Sequence, residues 1–274
     1  PSLARPDRIE DVTTLGDDAR AVLLTADPHA KRRAARGFAR AWRRGELVHR
    51  CDVAMPDRPA WPERPELLAP GRMPRRRGGG SERGRIAMLH ALAHIEFVAI
   101  DLAVDLVGRF GGEFPRGFVD DWIGVAADEA MHFALLDRRL AGLGSHYGAL
   151  PAHAGLWEAA EATADDALAR LAIVPMVLEA RGLDVTPATI DRFRGAGDTA
   201  SARILSRIYT DEIRHVSAGT RWFNWLCAER GFGPAATWQS LVKSRFRGVL
   251  KPPFNDSARR DAGLTQEYYA VIAS

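Results

Sequence analysis

Cysteine is scarce in this sequence. The 274 residues contain two cysteines, Cys51 and Cys227, which lie far apart and form no CxxC pair. This spacing excludes a disulfide framework and a zinc ribbon, and it is typical of a protein of a reducing compartment. We therefore expect a cytoplasmic protein. A chain of this length can bury a large core without covalent cross-links.

Lysine is scarce as well, and it occurs only at positions 31, 243 and 251, so arginine supplies most of the 38 basic residues. The formal net charge is +3. Arginine excess together with abundant alanine is typical of GC-rich coding, so we do not expect nucleic acid to be a partner. A nucleic-acid role stays as an alternative, because KRRAARGFARAWRR and MPRRRGGG are locally basic.

The sequence also lacks a long apolar run without charged residues. The most apolar segment, IAMLHALAHIEFVAIDLAVDLVG, has the length of a membrane span, but it contains Glu96, Asp101 and Asp105. Ionisable side chains are costly in hydrocarbon, so we expect a buried helix and no membrane contact. No charged-then-apolar signal sequence opens the chain as given.

Long segments with helical periodicity, and no alternating β-branched runs, predict an all-α fold. We expect four helices at about 85–110, 115–143, 156–181 and 200–230, each followed by glycine. The link after the second helix is long enough to cross a bundle, as in ferritin-like four-helix bundles. The predicted organisation is an irregular and helical N-terminal arm (1–83) that wraps the bundle (84–232), and a C-terminal tail (233–274).

The pentapeptide DEAMH at 128–132 recurs as DEIRH at 211–215. Residues three apart lie on one face of a helix, so each copy aims a carboxylate and an imidazole in the same direction. The two pairs are Glu129 with His132 and Glu212 with His215.

The other two helices each carry one isolated acid in an apolar stripe, Glu96 and Glu179. Glu96 lies 33 residues before Glu129, and Glu179 lies 33 residues before Glu212, so two helical hairpins carry acids at matching depth. A single Glu-x-x-His matches by chance, but this joint pattern is the ligand set of di-iron and di-manganese carboxylate bundles.

Electrostatics favours two cations at such a point. Four buried carboxylates would be strongly destabilised by desolvation and mutual repulsion, and two divalent ions cancel their charge. Oxygen-rich ligation with two imidazoles suits iron or manganese, so we predict two iron ions, with Mn/Fe left open. Asp211 is predicted to hold His132, and Asp128 to hold His215, as outer carboxylates.

Several segments resemble the bacterial ferritin-like proteins of domain-of-unknown-function family 455, from about residue 55 to the end. They include HALAHIEFVAIDLA, DEAMHF, LWEAAEATADDALARLAIVPMVLEARGLDVTP, IYTDEIRHV and LKPPFNDSARRDAG. The resemblance implies a ferritin-like four-helix bundle. It also implies one set of metal ligands, Glu96, Glu129, His132, Glu179, Glu212 and His215. It names no reaction.

Other residues near the motifs carry separate expectations. Tyr209, three before Glu212, is a candidate catalytic residue that relays electrons or hydrogen-bonds a ligand carboxylate, with simple packing as the alternative. Pro175, four before Glu179, is expected to disturb its helix. His90 and His94 are expected in the core or at a subunit contact, because His94 lies about 200° round the helix from Glu96.

The main functional hypothesis is an enzyme in which the di-iron centre and O₂ hydroxylate, desaturate or cleave a small organic substrate. Electrons would come from the substrate or a separate donor. One alternative is a ferroxidase that handles iron itself, and a second is a tRNA-modifying hydroxylase whose basic arm binds phosphates. Because irregular arms would hinder packing into a shell, we expect a small homo-oligomer.

Overall fold

The computed structural model describes residues 13–74 and 81–273, and the regular structure within these ranges is helical. Strand-like pairing in the described part is limited to two isolated bridges, Thr14 with Val48 and Leu67 with Ala152. The all-α class is confirmed.

The helices are numbered in chain order. They are α1 Leu15–Leu23, α2 Pro28–Arg43, α3 Glu82–Phe110, α4 Arg116–Ala141, α5 Gly155–Glu161, α6 Ala167–Ile173, α7 Ala180–Gly195, α8 Thr199–Glu229, α9 Pro234–Arg245, α10 Asp256–Asp261 and α11 Gln266–Tyr269. Short 3₁₀ turns at Pro70–Arg72 and Gly111–Glu113 and a π-helical turn at Val174–Glu179 complete the set.

Three of the four long helices begin and end close to where the sequence predicts. The side chain of Ser81 accepts a hydrogen bond from the amide of Gly84 and caps α3, and Asp198 caps α8 through the amide of Ser201. Pro115 directly precedes α4. Local capping chemistry therefore sets the starts of α3 and α8.

The third predicted helix, at 156–181, differs in the structure. The helix is interrupted after α5 and resumes at α6, whose N-terminus is capped by Asp166. It then continues through the π-helical turn into α7. Pro175 lies in that turn, as expected of a residue that donates no backbone hydrogen bond. Gly182 does not end the helix, which continues to Gly195, because an interior glycine costs only about 1 kcal/mol.

The long helices pack as two antiparallel pairs around one core. α3 lies along α4, α6 and α7 lie along α8, and α4 contacts α8 between the pairs. By length and composition Glu82–Glu113 could cross a membrane, but 67% of its most apolar window is buried inside the protein. Such burial is what the core helix of a globular fold shows.

The predicted arm and tail both pack on the long helices. α1 lies on α3 and α2 lies on α4, and Lys31 on α2 forms a fully buried ion pair of 2.6 Å with Asp101 on α3. The tail is more helical than expected, because it contains the helix α9. This helix packs on α6, and Trp238 donates a hydrogen bond to the carbonyl of Ala172. Residues 1–12 and 75–80 of the predicted arm, which include much of MPRRRGGG, lie outside the described residues.

Candidate metal centre

Four elements supply the six side chains that the sequence singles out. Glu96 lies in the middle of α3, Glu129 and His132 lie on α4, and Glu179 ends the π-helical turn. Glu212 and His215 lie on α8. Ligand-type atoms of four of them lie within 4.8 Å of one another, namely Glu96, Glu129, His132 and Glu212.

Glu129 lies between the two imidazoles. Its Oε2 is 3.3 Å from Nδ1 of His132, which is also 3.3 Å from Oε2 of Glu96. Its Oε1 is 3.0 Å from Nδ1 of His215, which is 3.5 Å from Oε1 of Glu212. The two oxygens of one carboxylate thus face two separate groups, so the geometry divides into two neighbouring half-sites that share Glu129.

Glu179 is outside that compact group of four, yet its charge acts on Glu212, Glu129 and His215. Its Oε2 is buried and accepts no hydrogen bond from the described residues, and Nδ1 of His215 likewise lacks a well-aligned partner. Buried polar atoms are rarely left without a partner. Two such atoms at a cluster of carboxylates fit a bound cation, so the residues suit a metal site.

Burial raises the pKa of three of the glutamates. Burial and the charges of Glu212 and Glu129 raise the pKa of Glu179 to about 8. Burial and the charge of Glu129 also raise the pKa of Glu96 and that of Glu212. Burial thus disfavours the ionised form of each of these carboxyls, and a bound cation would offset that cost.

The pKa values of Glu129 and of the imidazoles shift in the direction that favours the charged form of each group. Burial alone would raise the pKa of Glu129, but its contacts with His132 and His215 outweigh that effect and hold the pKa well below 4.5. Burial would lower the pKa of His132, but hydrogen bonds that its ring donates to Glu129 and Glu96 raise the pKa to about 11. Without metal, protons on the imidazoles take the place of cations beside Glu129.

An outer carboxylate contacts each imidazole from the neighbouring helix. Oδ2 of Asp211 is 3.2 Å from Nε2 of His132, and Oδ2 of Asp128 is 3.4 Å from Nε2 of His215. Both contacts are the ones expected from the sequence. They hold Nε2 outward, so that Nδ1 faces the glutamates. The role of these aspartates toward a metal stays a prediction.

Two arginines that the sequence analysis does not single out complete this outer layer. Arg214 lies 2.6 Å from Asp211 and 3.2 Å from Asp128, and Arg207 lies 2.6 Å from Asp211. Burial would raise the pKa of Asp211, but hydrogen bonds from Arg207 and Arg214 lower it to about 2. Their spacing, four before and three after Asp211 on one helix, is the signal that could have found them.

The sequence is similar to those of other proteins. A family model described as "Protein of unknown function (DUF455)" matches residues 24–270. The chain belongs to this family. An uncharacterized protein of Haemophilus influenzae is 43% identical over 227 residues, which cover 81% of this chain and 77% of that protein. No solved structure matches the chain.

Tyr209 of this DUF455 member contacts the C-terminal tail. Its hydroxyl accepts a hydrogen bond of 3.0 Å from the side chain of Asn255, whose backbone amide donates to Asp184. A catalytic role for Tyr209 stays a prediction. The contact ties α8 to the tail on the side where Arg181 donates to the carbonyls of Lys251 and Pro253.

His90 and His94 of the DUF455 chain are buried core residues. His90 accepts from the amide of Gly148, and His94 contacts the hydroxyl of Tyr147 at 2.9 Å and the carbonyl of His153 at 3.1 Å. Burial lowers the pKa of each imidazole to about 4. Both therefore hold the long loop after α4 against α3 as neutral side chains.

Proposed function

We propose that this DUF455 member is a ferritin-like di-iron carboxylate oxidoreductase that uses O₂ to hydroxylate, desaturate or cleave a small organic substrate. The observation that carries the proposal is the meeting of Glu96, Glu212 and two histidines around Glu129, whose two oxygens face different imidazoles. In ferritin-like carboxylate proteins two helices give one Glu each and two give Glu-x-x-His. On this proposal α3, α4, α6 with α7, and α8 form the bundle.

The chain's own residues have defined parts in this proposal. Glu129 would be shared by both ions, Glu96 and His132 would belong to one half-site, and Glu212 and His215 to the other. Glu179, whose charge acts on that second half-site, would join it. Two bound iron ions would supply the capacity to reduce O₂, which side chains lack.

The outer carboxylates keep the imidazoles in position. Asp211 and Asp128 accept at Nε2 of His132 and His215, which leaves each Nδ1 free of its proton when a cation binds. Arg214 contacts both aspartates, so the two half-sites share one positioning group on the surface.

A cleft between α4 and α8 supports a small substrate. Its volume is about 450 Å³, and its lining includes Asp128, Arg214 and His215. Sites for small molecules usually have about 300–1,000 Å³. A substrate in this cleft would lie beside a side chain of the candidate centre, with electrons taken from the substrate or a separate donor.

Iron handling is the main competing function, because a ferroxidase uses the same donor set with iron as its substrate. The arm lies on α3 and α4, and the tail lies on α6, α7 and α8. Helix faces covered in this way are poorly suited to packing in a storage shell, which favours the organic substrate and a small oligomer.

Metal analysis after anaerobic reconstitution with Fe(II) tests the proposal. We expect about two irons per chain, as in the dinuclear carboxylate sites, and a single round of O₂ uptake with Glu129→Gln as the inactive control. Iron that keeps accumulating as Fe(III) would instead indicate a ferroxidase. A chain that takes up no iron under these conditions would contradict both functions.

A further inference from the structure

The helix α2 carries a one-sided charge. Residues 28–44 contain six arginines and one lysine and have no acidic residue. Lys31 points inward to Asp101, whereas five arginines are exposed, one of which, Arg44, lies 3.6 Å from Glu46. The other four are Arg33, Arg36, Arg40 and Arg43. Among the described residues, no carboxylate forms an ion pair with any of these four.

The row of arginines destabilises α2 as an isolated helix. Arg36 and Arg40 are four residues apart, and Arg33 with Arg36 and Arg40 with Arg43 are three apart, so neighbouring positive charges repel along the surface. Many arginines elsewhere in the chain pair with carboxylates, as Arg221 does with Asp121 and Arg245 with Asp165. An unpaired row held on a rigid helix is the electrostatic pattern of a surface that receives anions.

The arginines also line a continuous groove. One depression of about 290 Å³ is lined by arginines alone, including Arg36 and Arg40. The next, of about 280 Å³, shares those two residues and extends past Arg43 to Met131 and Asp128 on α4. Asp128 also lines the cleft beside His215. The groove therefore leads from α2 to the candidate metal centre.

Buried anchors fix this surface in place. Besides the Lys31–Asp101 pair, Trp42 at the end of α2 donates a hydrogen bond of 2.6 Å to Asp120 on α4. The arginines from Arg33 to Arg43 extend over about 15 Å of helix. A row of that length exceeds one phosphate group and matches several successive phosphates of a strand.

We propose that the exposed arginine face of α2, Arg33, Arg36, Arg40 and Arg43, binds the phosphate backbone of a nucleic-acid strand. The strand lies in the groove between α2 and α4, along Arg36, Arg40 and Arg43. Binding depends on charge and is independent of metal, so it stands or falls separately from the proposed oxidation chemistry.

The test measures binding of a fluorescein-labelled RNA of about 20 nucleotides, and of DNA of the same sequence, as NaCl rises from about 50 to 200 mM. We expect binding that weakens with salt in both metal-free and iron-loaded protein. The variant with Arg36→Gln, Arg40→Gln and Arg43→Gln should bind about tenfold more weakly. Its log–log salt slope should be shallower by about 2.

A matched control carries Arg192→Gln, Arg203→Gln and Arg247→Gln, which remove three exposed arginines that line none of these depressions. Circular dichroism should show both triple variants folded, since all six side chains are exposed. Equal loss of binding in the two variants would overturn the proposal, as would binding to phosphatidylserine-rich vesicles but to neither nucleic acid.

Discussion

At the scale of single residues, the candidate centre depends on the contrast between Glu129 and the glutamates around it. The pKa of Glu129 is lowered because two imidazoles contact it, whereas burial raises the pKa of Glu96, Glu179 and Glu212. The sequence predicts the four that lie close together, Glu96, Glu129, His132 and Glu212, because residues three apart share a helix face and the two helical hairpins carry acids at matching depth. It cannot predict which carboxyl lies between the imidazoles, since that depends on how α4 and α8 face each other.

The raised pKa of Glu179 gives a pH dependence to the metal-free protein. Between its ordinary value of 4.5 and about 8, the folded chain holds a proton that the unfolded chain has released. The free energy of unfolding therefore falls as pH rises through this range. Urea unfolding in the presence of chelator at pH 5 and pH 8 measures the fall, and Glu179→Gln should reduce it.

The same substitution separates stability from function at this position. Glu179→Gln should make the metal-free protein more stable at pH 8, because no carboxyl must then ionise in the interior. It should also lower the iron content after reconstitution. A variant that is less stable at pH 8 yet binds iron normally would contradict the role given to Glu179.

At the scale of elements, the π-helical turn explains why one helix differs from its prediction. Caps and periodicity identify α3, α4 and α8, but the path from α6 to α7 depends on what lies opposite. Gly219 on α8 faces Pro175, and a Cβ at Gly219 would lie 2.5 Å from Cβ of that proline. No local pattern in either segment shows this approach, so the sequence alone could not show how the two helices meet.

The contact between Gly219 and Pro175 can be tested directly. Gly219→Ala should push α8 away from the turn, lower the free energy of unfolding by about 1–3 kcal/mol and reduce metal binding. Gly182→Ala on α7 is the control, because a Cβ there has open space and should stabilise the helix by about 0.5–1 kcal/mol. Thermal melts of both variants, with iron analysis, distinguish this close packing from a general effect of alanine.

The arm is joined to α3 by a buried ion pair whose loss should be costly. Lys31 is fully buried, lies 2.6 Å from Asp101 and also donates to the carbonyl of Ala60. Lys31→Met would leave the buried Asp101 without its cation and with Trp61 as its remaining donor, which should cost about 3–5 kcal/mol. Adding Asp101→Asn should recover part of that loss in chemical denaturation, because the amide is neutral and still accepts from Trp61.

At the scale of the whole molecule, the arm and tail cover the long helices. The arm also places the arginine face of α2 close to the candidate metal centre. The composition accounts for the number of arginines, and α2 places them on one exposed face whose groove leads to Asp128. The tail contacts α7 and α8 beyond Glu179 through Asn255 and Arg259. Which faces these segments cover could not be predicted, because their packing partners are distant in sequence.

Metal binding should stabilise the entire fold and reverse its response to pH. An ion that binds the folded chain raises the free energy of unfolding, by about 2.7 kcal/mol at a free concentration one hundred times Kd. Binding must displace the protons held by His132 and the raised-pKa glutamates, so this stabilisation should grow as pH rises. Melting temperatures measured anaerobically with Fe(II) or Mn(II), at pH 6 and pH 8, test both effects. Glu129→Gln, which removes the carboxylate shared by the half-sites, should abolish the metal-dependent shift. An equal shift in that variant would mean that the cation binds elsewhere on the protein.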